Sequence, residues 1–506
     1  MYNNAIKRER GKIVRIYDVI QLARRYMLVG IIGSIFLMSL FLIGYFLVYK
    51  KKVKDTKKLK VSKVILWSIF LIYMIVVLGA TIGHRVSGYE SVNLHLFSSY
   101  KDAYNNFSLR EWRYIILNIL MFVPIGFMFP LLLKKCECWY ITYLGCFAIT
   151  LFIEILQLIS KRGIFEIDDI INNTLGCSIG YGIVMIFISL FKRKKVNQKH
   201  KVLITASYQI PLIVSIIFIS AVFIKYDKQE LGNLAIRNSY NINMSTIDVT
   251  TDINIDNKLK KAYVYKTYIG NKEDAINLAN KIFSKLNTTI DESQNDEYDD
   301  TIVFKSKNGE YSLWVNYKGF TTWFTDFSQF DSKGKENLTY KEVQVLLSKF
   351  DIELPKDADF KDNEDGNYSI SLNMVKSKDV YLDGELRCTI SENDIVSDIT
   401  NNIISYKPYK EYDILSLKDA YDNILKGNFR LNDVLNKNSN INVKEYSLIY
   451  QLDSKGYYQP VYDFTVNING EINHIYIPAL KETISSSNGT QYSKEIYIFN
   501  ILRILL

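Results

Sequence analysis

The sequence contains few of the residues that usually form metal, redox or nucleotide sites. Its four histidines, at positions 84, 95, 200 and 474, are scattered and show no His-Glu-x-x-His or other paired spacing. The chain also has no P-loop, G-x-S-x-G or G-x-G-x-x-G motif. We therefore expect no cofactor and no dedicated metal site, and we do not expect energy-coupled transport by this chain alone.

Cysteine is equally scarce. The five cysteines are Cys136, Cys138, Cys146, Cys177 and Cys388. Because only Cys388 lies after residue 224, the C-terminal half cannot form an internal disulfide bond. The pair Cys136 and Cys138 lacks the usual spacing of zinc ligands and has no second pair, so we interpret it as incidental to function.

Charged residues are missing from several long apolar runs between Met27 and Ile224. About 20 helical residues cross a hydrocarbon core of roughly 30 Å, and the first run alone has 22 residues without a charge. The predicted spans are Leu28–Tyr49, Val64–Gly83, Tyr114–Leu133, Trp139–Ile159, Ile170–Phe191 and Val202–Ile224. The sequence therefore predicts an α-helical transmembrane bundle of about six spans.

From Lys225 onward the chain is rich in Asn, Asp, Lys, Ser and Tyr. Apolar residues between Asn271 and Leu286 follow a helical period, and two apolar runs then flank the hairpin signal Lys307-Asn308-Gly309. A similar order of helix and strands returns from Ser416, which opens a capping-box pattern. Helices followed by antiparallel strands predict an α+β domain of one or two such units.

The net charge of +9 is concentrated beside the spans. Basic residues cluster at 50–60 and 192–201, and the positive-inside bias predicts that both segments are cytoplasmic. The loops 84–113 and 160–168 and everything after Ile224 then fall outside. The N-terminal tail is also basic yet falls outside in this topology, so its orientation stays open. No zinc knuckle or similar module accompanies the charge, so we do not expect nucleic-acid binding.

These features divide the chain into six parts. They are a basic N-terminal tail (1–27), a first transmembrane helix with a basic loop (28–63), a central transmembrane domain (64–191), a second basic loop with the last transmembrane helix (192–224), an extracytoplasmic α+β domain (225–481) and a tail without an assigned function (482–506).

Polar side chains inside or at the mouths of the spans are the candidates for function. A carboxylate at the bilayer centre costs on the order of 2.5–3.5 kcal/mol, so it usually faces the bundle interior and has a partner. Glu154 and Gln157 share one helical face, as do Asp169 and Asn173. Further candidates are Asn118, Arg162 and Asp168, with Pro124, Gly126, Gly176 and Gly180 as candidates for close helix packing.

Two interpretations of these polar residues remain open. In the first, they form a charged pocket at the outer membrane face for a polar headgroup, with the carboxylates as acid/base or metal-binding groups. In the second, they are structural: Asp169 caps the fifth helix, Arg162 pairs with Glu166, and Glu154 with Gln157 joins neighbouring helices.

Four motifs, in this order, resemble the VanZ-like family. They are Asn93-Leu94-His95-Leu96-Phe97, the run NILMFVPIG from Asn118, the run EILQ from Glu154, and the run RGIFEIDDIINNTLG from Arg162. The resemblance covers about Val64–Phe191 and adds Asn93 to the candidate polar site. Two small departures are Glu166, where the family often has Asp, and one extra residue between Arg162 and Phe165.

The founding member of that family is associated with low-level teicoplanin resistance in Gram-positive bacteria. The resemblance therefore implies a context in the cell envelope and not a particular reaction.

A second resemblance lies in the predicted α+β domain. The segments GYYQPVYDF from Gly456 and IYIPA from Ile475 are similar to extracytoplasmic PepSY-like and YycI-type domains. Such domains follow membrane anchors and are thought to bind partners or inhibit enzymes outside the cell. The resemblance agrees with the predicted outside location.

Three hypotheses for function follow. In the first, the bundle binds a lipid headgroup or a lipid-linked cell-wall precursor at the outer face, and the α+β domain contacts wall components or another membrane protein. In the second, the protein is a membrane enzyme acting on such a lipid, with Glu154, Asp168 and Asp169 as acid/base or metal-ligand groups and Arg162 holding a phosphate. In the third, it is a membrane-anchored extracytoplasmic regulator or sensor.

Overall fold

The structure is a computed structural model that describes residues 16–44, 60–83, 92–191, 198–236 and 242–481, apart from 299, 357, 378, 432–434 and 436–438. These residues form two compact units, a membrane unit that ends at Gln229 and a C-terminal unit that begins at Glu230. The predicted C-terminal tail and most of the two basic segments lie outside the described residues.

The membrane unit consists almost entirely of helices. In chain order they are α1 (Ile16–Gly44), α2 (Val61–Leu78), α3 (Ser98–Asn106), α4 (Leu109–Leu132), α5 (Trp139–Ile159), α6 (Ile167–Phe191), α7 (Gln198–Ser207) and α8 (Ile210–Lys228). In the part of the chain that the structure describes, six of these helices, all except α3 and α7, are long and apolar enough to cross a membrane. The predicted bundle of about six spans is confirmed.

Five of the six spans in the described residues differ from their predicted ends, and the last differs most. The last span is predicted at Val202–Ile224, but the spanning helix is α8, which begins at Ile210 and continues to Lys228. The chain breaks between α7 and α8 because Pro211, in the first turn of α8, has no N–H group for a hydrogen bond to the preceding turn. The predicted α+β domain consequently starts at Glu230 and not at Lys225. The first span, predicted at Leu28–Tyr49, is Tyr26–Ile43 and lies within the longer helix α1.

Helices α4 and α6 run parallel and touch through their backbones. A Cβ atom added to Gly126, Gly176 or Gly180 would lie 1.9 Å from a carbonyl oxygen of the other helix. Only glycine permits so close an approach. Pro124 lies inside α4, two residues before Gly126. The predicted packing residues thus lie on or beside this contact.

Two short strands join the loops at one end of the bundle. Strand β1 (Val92–Asn93) pairs in parallel with β2 (Phe165–Glu166), with Asn93 opposite Glu166. Helix α6 begins directly after β2, and α3 begins a few residues after β1. The pairing therefore holds the start of α3 beside the start of α6.

The C-terminal unit is an α+β domain, as predicted. Its strands are β3 (Asp248–Thr251), β4 (Lys260–Thr267), β5 (Asp296–Glu297), β6 (Thr301–Lys305), β7 (Tyr311–Asn316), β8 (Thr322–Asp326), β9 (Asp359–Asp362), β10 (Asn367–Ser377), β11 (Val380–Ile390), β12 (Val396–Asn401), β13 (Ile404–Ile414), β14 (Asn440–Leu452), β15 (Tyr457–Ile468) and β16 (Glu471–Pro478). Its helices are α9 (Lys272–Lys285), α10 (Tyr340–Leu347) and α11 (Leu417–Leu425).

All 14 of these strands belong to one sheet, but the described residues of this unit form two separate hydrophobic cores. In the first core, α9 and α10 cover β6 to β8 and β10 to β12. In the second, α11 covers β14 to β16. Strand β13 joins the two halves, because it pairs with β4 on one side and with β11 on the other.

Local sequence signals explain where several of these elements begin and turn. Asn271 caps α9, accepting hydrogen bonds from the backbone N–H groups of Glu273 and Asp274. Ser416 caps α11 in the same way. Gly309, between β6 and β7, has a φ of 75°, a conformation that glycine adopts without strain.

Candidate functional site

Asp168 fixes the start of helix α3 from a position at the start of α6. One carboxylate oxygen accepts a hydrogen bond from the backbone N–H of Phe97 at 2.6 Å, and the other accepts from the backbone N–H and hydroxyl of Ser99 at 2.9 and 2.6 Å. The side chain is 2% exposed. An anion that accepts N–H bonds at a helix N-terminus is favourable, so Asp168 is an anchor of the scaffold.

Asn93 supports the same corner. Its amide nitrogen donates to the hydroxyl of Ser98 at 2.9 Å, and its amide oxygen accepts from the backbone N–H of His95 at 3.1 Å. The motif around Asn93 and the motif around Asp168 therefore stabilise one turn of backbone together.

Asp169, the next residue, points to a different helix. Its carboxylate accepts a hydrogen bond from the amide nitrogen of Asn118 on α4 at 2.6 Å. One turn away on α6, Asn172 accepts a hydrogen bond from the hydroxyl of Tyr100 on α3. Asp168 and Asp169 are neighbours in sequence but contact different elements.

Tyr100 remains a hydrogen-bond donor in this setting. It lies outside the spanning helices. Burial, with a smaller contribution from the negative charges of Asp168 and Asp169, raises the pKa of Tyr100 to about 12. The phenol is therefore protonated at physiological pH.

Glu154 and Gln157 connect α5 to the surrounding loops. The carboxylate of Glu154 accepts from the backbone N–H of Glu166 at 3.2 Å, and the amide nitrogen of Gln157 donates to the carbonyl oxygen of Thr81 at 3.1 Å. Both side chains are almost completely buried, at 1% and 2% exposure. Deeper in the bundle, Asn173 on α6 donates to the hydroxyl of Thr150 on α5 at 2.8 Å.

Asp169 and Glu154 lie at the same level on facing helices. Helices α5 and α6 are antiparallel, and the hydrogen bond between Asn173 and Thr150 sets their register. One helical turn nearer the connecting loop, this register places Asp169 on α6 and Glu154 on α5. Because Glu154 is buried and Asp169 is partly exposed, Asp169 is the carboxylate of the two that a ligand can reach.

The family comparison covers this region of the chain. The family model described as VanZ/LLP1 matches residues 61–188, which include every candidate polar residue named above. This part of the chain is a VanZ-like membrane domain.

Comparisons beyond the VanZ-like domain give weaker likenesses. None of the curated proteins matches the chain. An uncharacterized protein from Eubacterium rectale is similar at 11% identity, with 50% of this chain and 92% of that chain covered and a TM-score of 0.25. The C-terminal domain of YpeB from Bacillus megaterium is similar to the C-terminal region at 14% identity, with 42% and 93% covered and a TM-score of 0.17.

The structure does not bring Arg162 into the VanZ-like site. The residue is exposed, and the hydrogen bond that it makes runs from its backbone N–H to the carbonyl oxygen of Gln157 at 3.1 Å. The expectation of one pocket that joins Arg162 to Glu154, Asp168 and Asp169 is therefore not met, since Arg162 lies exposed in the loop at 160–164.

The sequence analysis did not identify several side chains of the VanZ-like site as candidates. They are Thr81, Ser99, Tyr100, Thr150 and Asn172. Helical spacing could have indicated two of them, because Asn172 lies four residues after Asp168 and Thr150 lies four residues before Glu154. Threonine and tyrosine are too common in apolar helices for their identity alone to suggest the rest.

Three buried acceptor atoms in the VanZ-like domain have no hydrogen-bond partner among the described residues. They are Oε1 of Gln157, Oδ1 of Asn173 and the hydroxyl oxygen of Thr174, which can also donate; the indole Nε1 of Trp112 is a buried donor that is likewise unpaired. Leaving such an atom unpaired costs about 1–3 kcal/mol. No three His, Cys, Asp or Glu residues in the described part of the chain are placed to hold a metal ion. The unpaired acceptors therefore favour a ligand that brings hydrogen-bond donors.

Proposed function

We propose that the VanZ-like domain binds the polar headgroup of a membrane lipid or of a lipid-linked cell-wall precursor. The observation that carries the proposal is the set of accepting groups on facing helices at one end of the bundle. Glu154 and Asp169 supply carboxylates there, and Gln157 and Asn173 each add an unpaired amide oxygen. Groups of this kind are expensive in an apolar bundle unless they have a function or a partner.

The chemistry of the site favours a headgroup rich in hydroxyl or ammonium groups. A carboxylate and an amide oxygen are acceptors, so they select donors such as sugar hydroxyls or amines. Asp169 is the partly exposed member and makes first contact with the ligand, and the amide of Asn118 holds its carboxylate in place at 2.6 Å.

We place the site and the C-terminal domain on the outer side of the membrane. Gln229, which follows α8, donates from its side chain to the hydroxyl of Tyr104 on α3 at 2.9 Å, so the chain leaves the bundle at the end that carries the site. Lys134 and Lys135 lie at the other end, where α4 ends and α5 begins. The positive-inside bias puts that other end in the cytoplasm. Protease treatment of intact protoplasts tests this: the C-terminal domain should be degraded, and its survival would reverse the assignment.

Teicoplanin susceptibility of a Gram-positive host is the cellular test. The wild-type chain, Asp169→Asn and Glu137→Gln are expressed at matched abundance. Glu137 is a carboxylate at the opposite end of the bundle, so it controls for the loss of one negative charge. We expect the wild type and Glu137→Gln to protect and Asp169→Asn not to protect.

A direct binding measurement separates lipid engagement from resistance. The purified wild type and variants are analysed by mass spectrometry for lipids that remain bound through detergent exchange. We expect a headgroup class that the wild type and Glu137→Gln retain and Asp169→Asn loses. Equal lipid retention by all three forms would refute the proposed site. If Asp169→Asn loses the lipid but the wild type gives no resistance, the protein binds lipid for another role in the envelope.

A further inference from the structure

The segment that follows the last membrane helix is built into the C-terminal unit. The carboxylate of Asp453, 2% exposed, accepts a hydrogen bond from the backbone N–H of Gly232 at 2.7 Å and from the side chain of Gln459 at 2.6 Å. A Cβ atom on Gly232 would lie 2.4 Å from the backbone nitrogen of Lys455, so the segment lies directly against the turn between β14 and β15. Residues 230–234 therefore move with the C-terminal unit.

Glu230, the first residue of this unit, is surrounded by tyrosine and lysine. Its carboxylate accepts from the hydroxyl of Tyr409 at 2.9 Å and lies 3.4 Å from the ammonium group of Lys410. The ammonium group of Lys410 also lies 5.0 Å from the centre of the Tyr412 ring. The hydrogen bonds to Glu230 and the charge of Lys410 outweigh the effect of burial and lower the pKa of Glu230, so it is ionised at neutral pH.

More tyrosine and lysine side chains lie next to those that contact Glu230. The ring of Tyr457 lies 4.9 Å from that of Tyr409, and the ammonium group of Lys266 lies 5.5 Å above the ring of Tyr457. Tyr409 is 41% exposed, and the side chain of Lys410 is 55% exposed. We call Lys266, Tyr409, Lys410, Tyr412 and Tyr457 the Tyr/Lys surface.

Chain length places this surface close to the lipid. Helix α8 ends at Lys228, and two extended residues cover at most about 7 Å, so Glu230 cannot lie farther than that from the end of the helix. The polar headgroup layer extends roughly 5–8 Å beyond the hydrocarbon core on each side. The last helical turn, from Lys225 to Lys228, adds about 6 Å, so Glu230 lies at most about 13 Å from Ile224 and close to the headgroup layer.

We propose that the Tyr/Lys surface binds the anionic phospholipid headgroups of the bilayer in which the chain is anchored. Tyrosine is enriched at membrane interfaces because its ring is apolar and its hydroxyl is polar. Lys410 pairs with Glu230, and Lys266 lies over the ring of Tyr457, so these side chains together carry one net positive charge. This site is independent of the headgroup site proposed for the VanZ-like domain, since it belongs to the C-terminal unit.

Lysine footprinting of the full chain tests the proposal. The protein is reconstituted in nanodiscs of phosphatidylcholine alone or with added phosphatidylglycerol, and lysines are labelled with an uncharged amine-reactive ester. We expect Lys266 and Lys410 to react about fivefold more slowly in the anionic bilayer, the effect expected for a lysine at an anionic surface. Lys281 is the matched control, because its side chain is 54% exposed and, like Lys410, it pairs with a carboxylate, that of Asp351.

Three outcomes would overturn the proposal. Equal labelling of Lys410 in both bilayers would show that no headgroup covers it. If the labelling of Lys281 is slowed as much as that of Lys410, the anionic surface slows all lysines in general. If glycerol phosphate slows the labelling in neutral nanodiscs as strongly as the anionic bilayer does, the surface binds soluble phosphate and not lipid. As a second readout, Lys266→Gln should reduce the protection of Lys410, and Lys281→Gln should leave it unchanged.

Discussion

Replacing Gly180 by alanine should destabilise the membrane unit, and the structure sets the size of the effect. The added methyl carbon would lie 1.9 Å from the carbonyl oxygen of Val123, whereas ordinary contact begins at 3.4 Å. Helices α4 and α6 would have to separate locally by about 1.5 Å. Overpacking of this kind costs about 1–3 kcal/mol. Because the clash is with a backbone atom, we expect the upper end of that range, and alanine recovers at most about 1 kcal/mol through its higher helix propensity, so the net loss should be about 2 kcal/mol.

The same change should weaken the candidate site. Asn118 lies on α4 and Asp169 on α6, and their 2.6 Å hydrogen bond crosses the contact that Gly180 helps to form. Gly180 lies 11 residues after Asp169, about 16 Å along α6, so this bond lengthens only if the separation extends along the two helices. In that case, lipid retention by Gly180→Ala should fall along with its stability.

The assay is unfolding of the purified protein in mild detergent, followed by thermal aggregation and by titration with a denaturing detergent. Gly145→Ala is the control, because its methyl group would meet the end of the Phe129 ring at 2.9 Å, and that ring can rotate away. We expect Gly145→Ala to unfold like the wild type. If Gly180→Ala is as stable as Gly145→Ala, the inferred backbone contact between α4 and α6 is wrong.

Three further changes test other parts of the structure. Asp168→Asn should lower the stability of the membrane unit by about 1.5–3 kcal/mol, because an amide group cannot accept all three of its hydrogen bonds, whereas Asp169→Asn should unfold like the wild type in the same thermal assay. Ser416→Ala should destabilise the C-terminal unit by about 1–2 kcal/mol in urea unfolding, because it removes a buried helix cap, and no change would refute that role. Burial lowers the pKa of Lys318 from its ordinary 10.5, so charging it costs more in the folded state than in the unfolded state. Stability should therefore rise as the pH rises through that lowered pKa toward 10.5, and Lys318→Met should abolish this rise in urea unfolding measured at several pH values.

Apolar length and turn chemistry made the coarse fold predictable. A run such as Trp139–Ile159 contains only one charged residue, and its length matches a bilayer, so its helix has the predicted ends. The hairpin at Gly309 and the cap at Ser416 were also predictable from the sequence, because each depends on residues within a few positions of one another. Strands β9 to β13 carry no comparable local signal. Strands β9 to β12 pair in order along the chain, but β12 also pairs with β8 and β13 with β4, which are far away in sequence, and residues 359–414 had no predicted elements.

The candidate site was predictable as a set of residues and not as an arrangement. Sequence reasoning grouped Asp168 with Asp169 because they are adjacent, but successive helical residues point in different directions. Asp168 consequently caps α3, and Asp169 reaches Asn118. Arg162 was expected beside the carboxylates because its charge is opposite to theirs. Charge alone does not show that the turn at 160–164 leaves Arg162 exposed.

By itself, the sequence determined the six spans, the VanZ-like motifs and the α+β character of the C-terminal half. These depend on hydrophobic length, helical period and local caps, which are properties of neighbouring residues. Only the tertiary structure decided which polar groups face each other across α4, α5 and α6, and which side chains surround Glu230. Those contacts join residues far apart in the chain. Helix register, strand pairing and the close approach at three glycines fix them, and no short stretch of sequence contains that information.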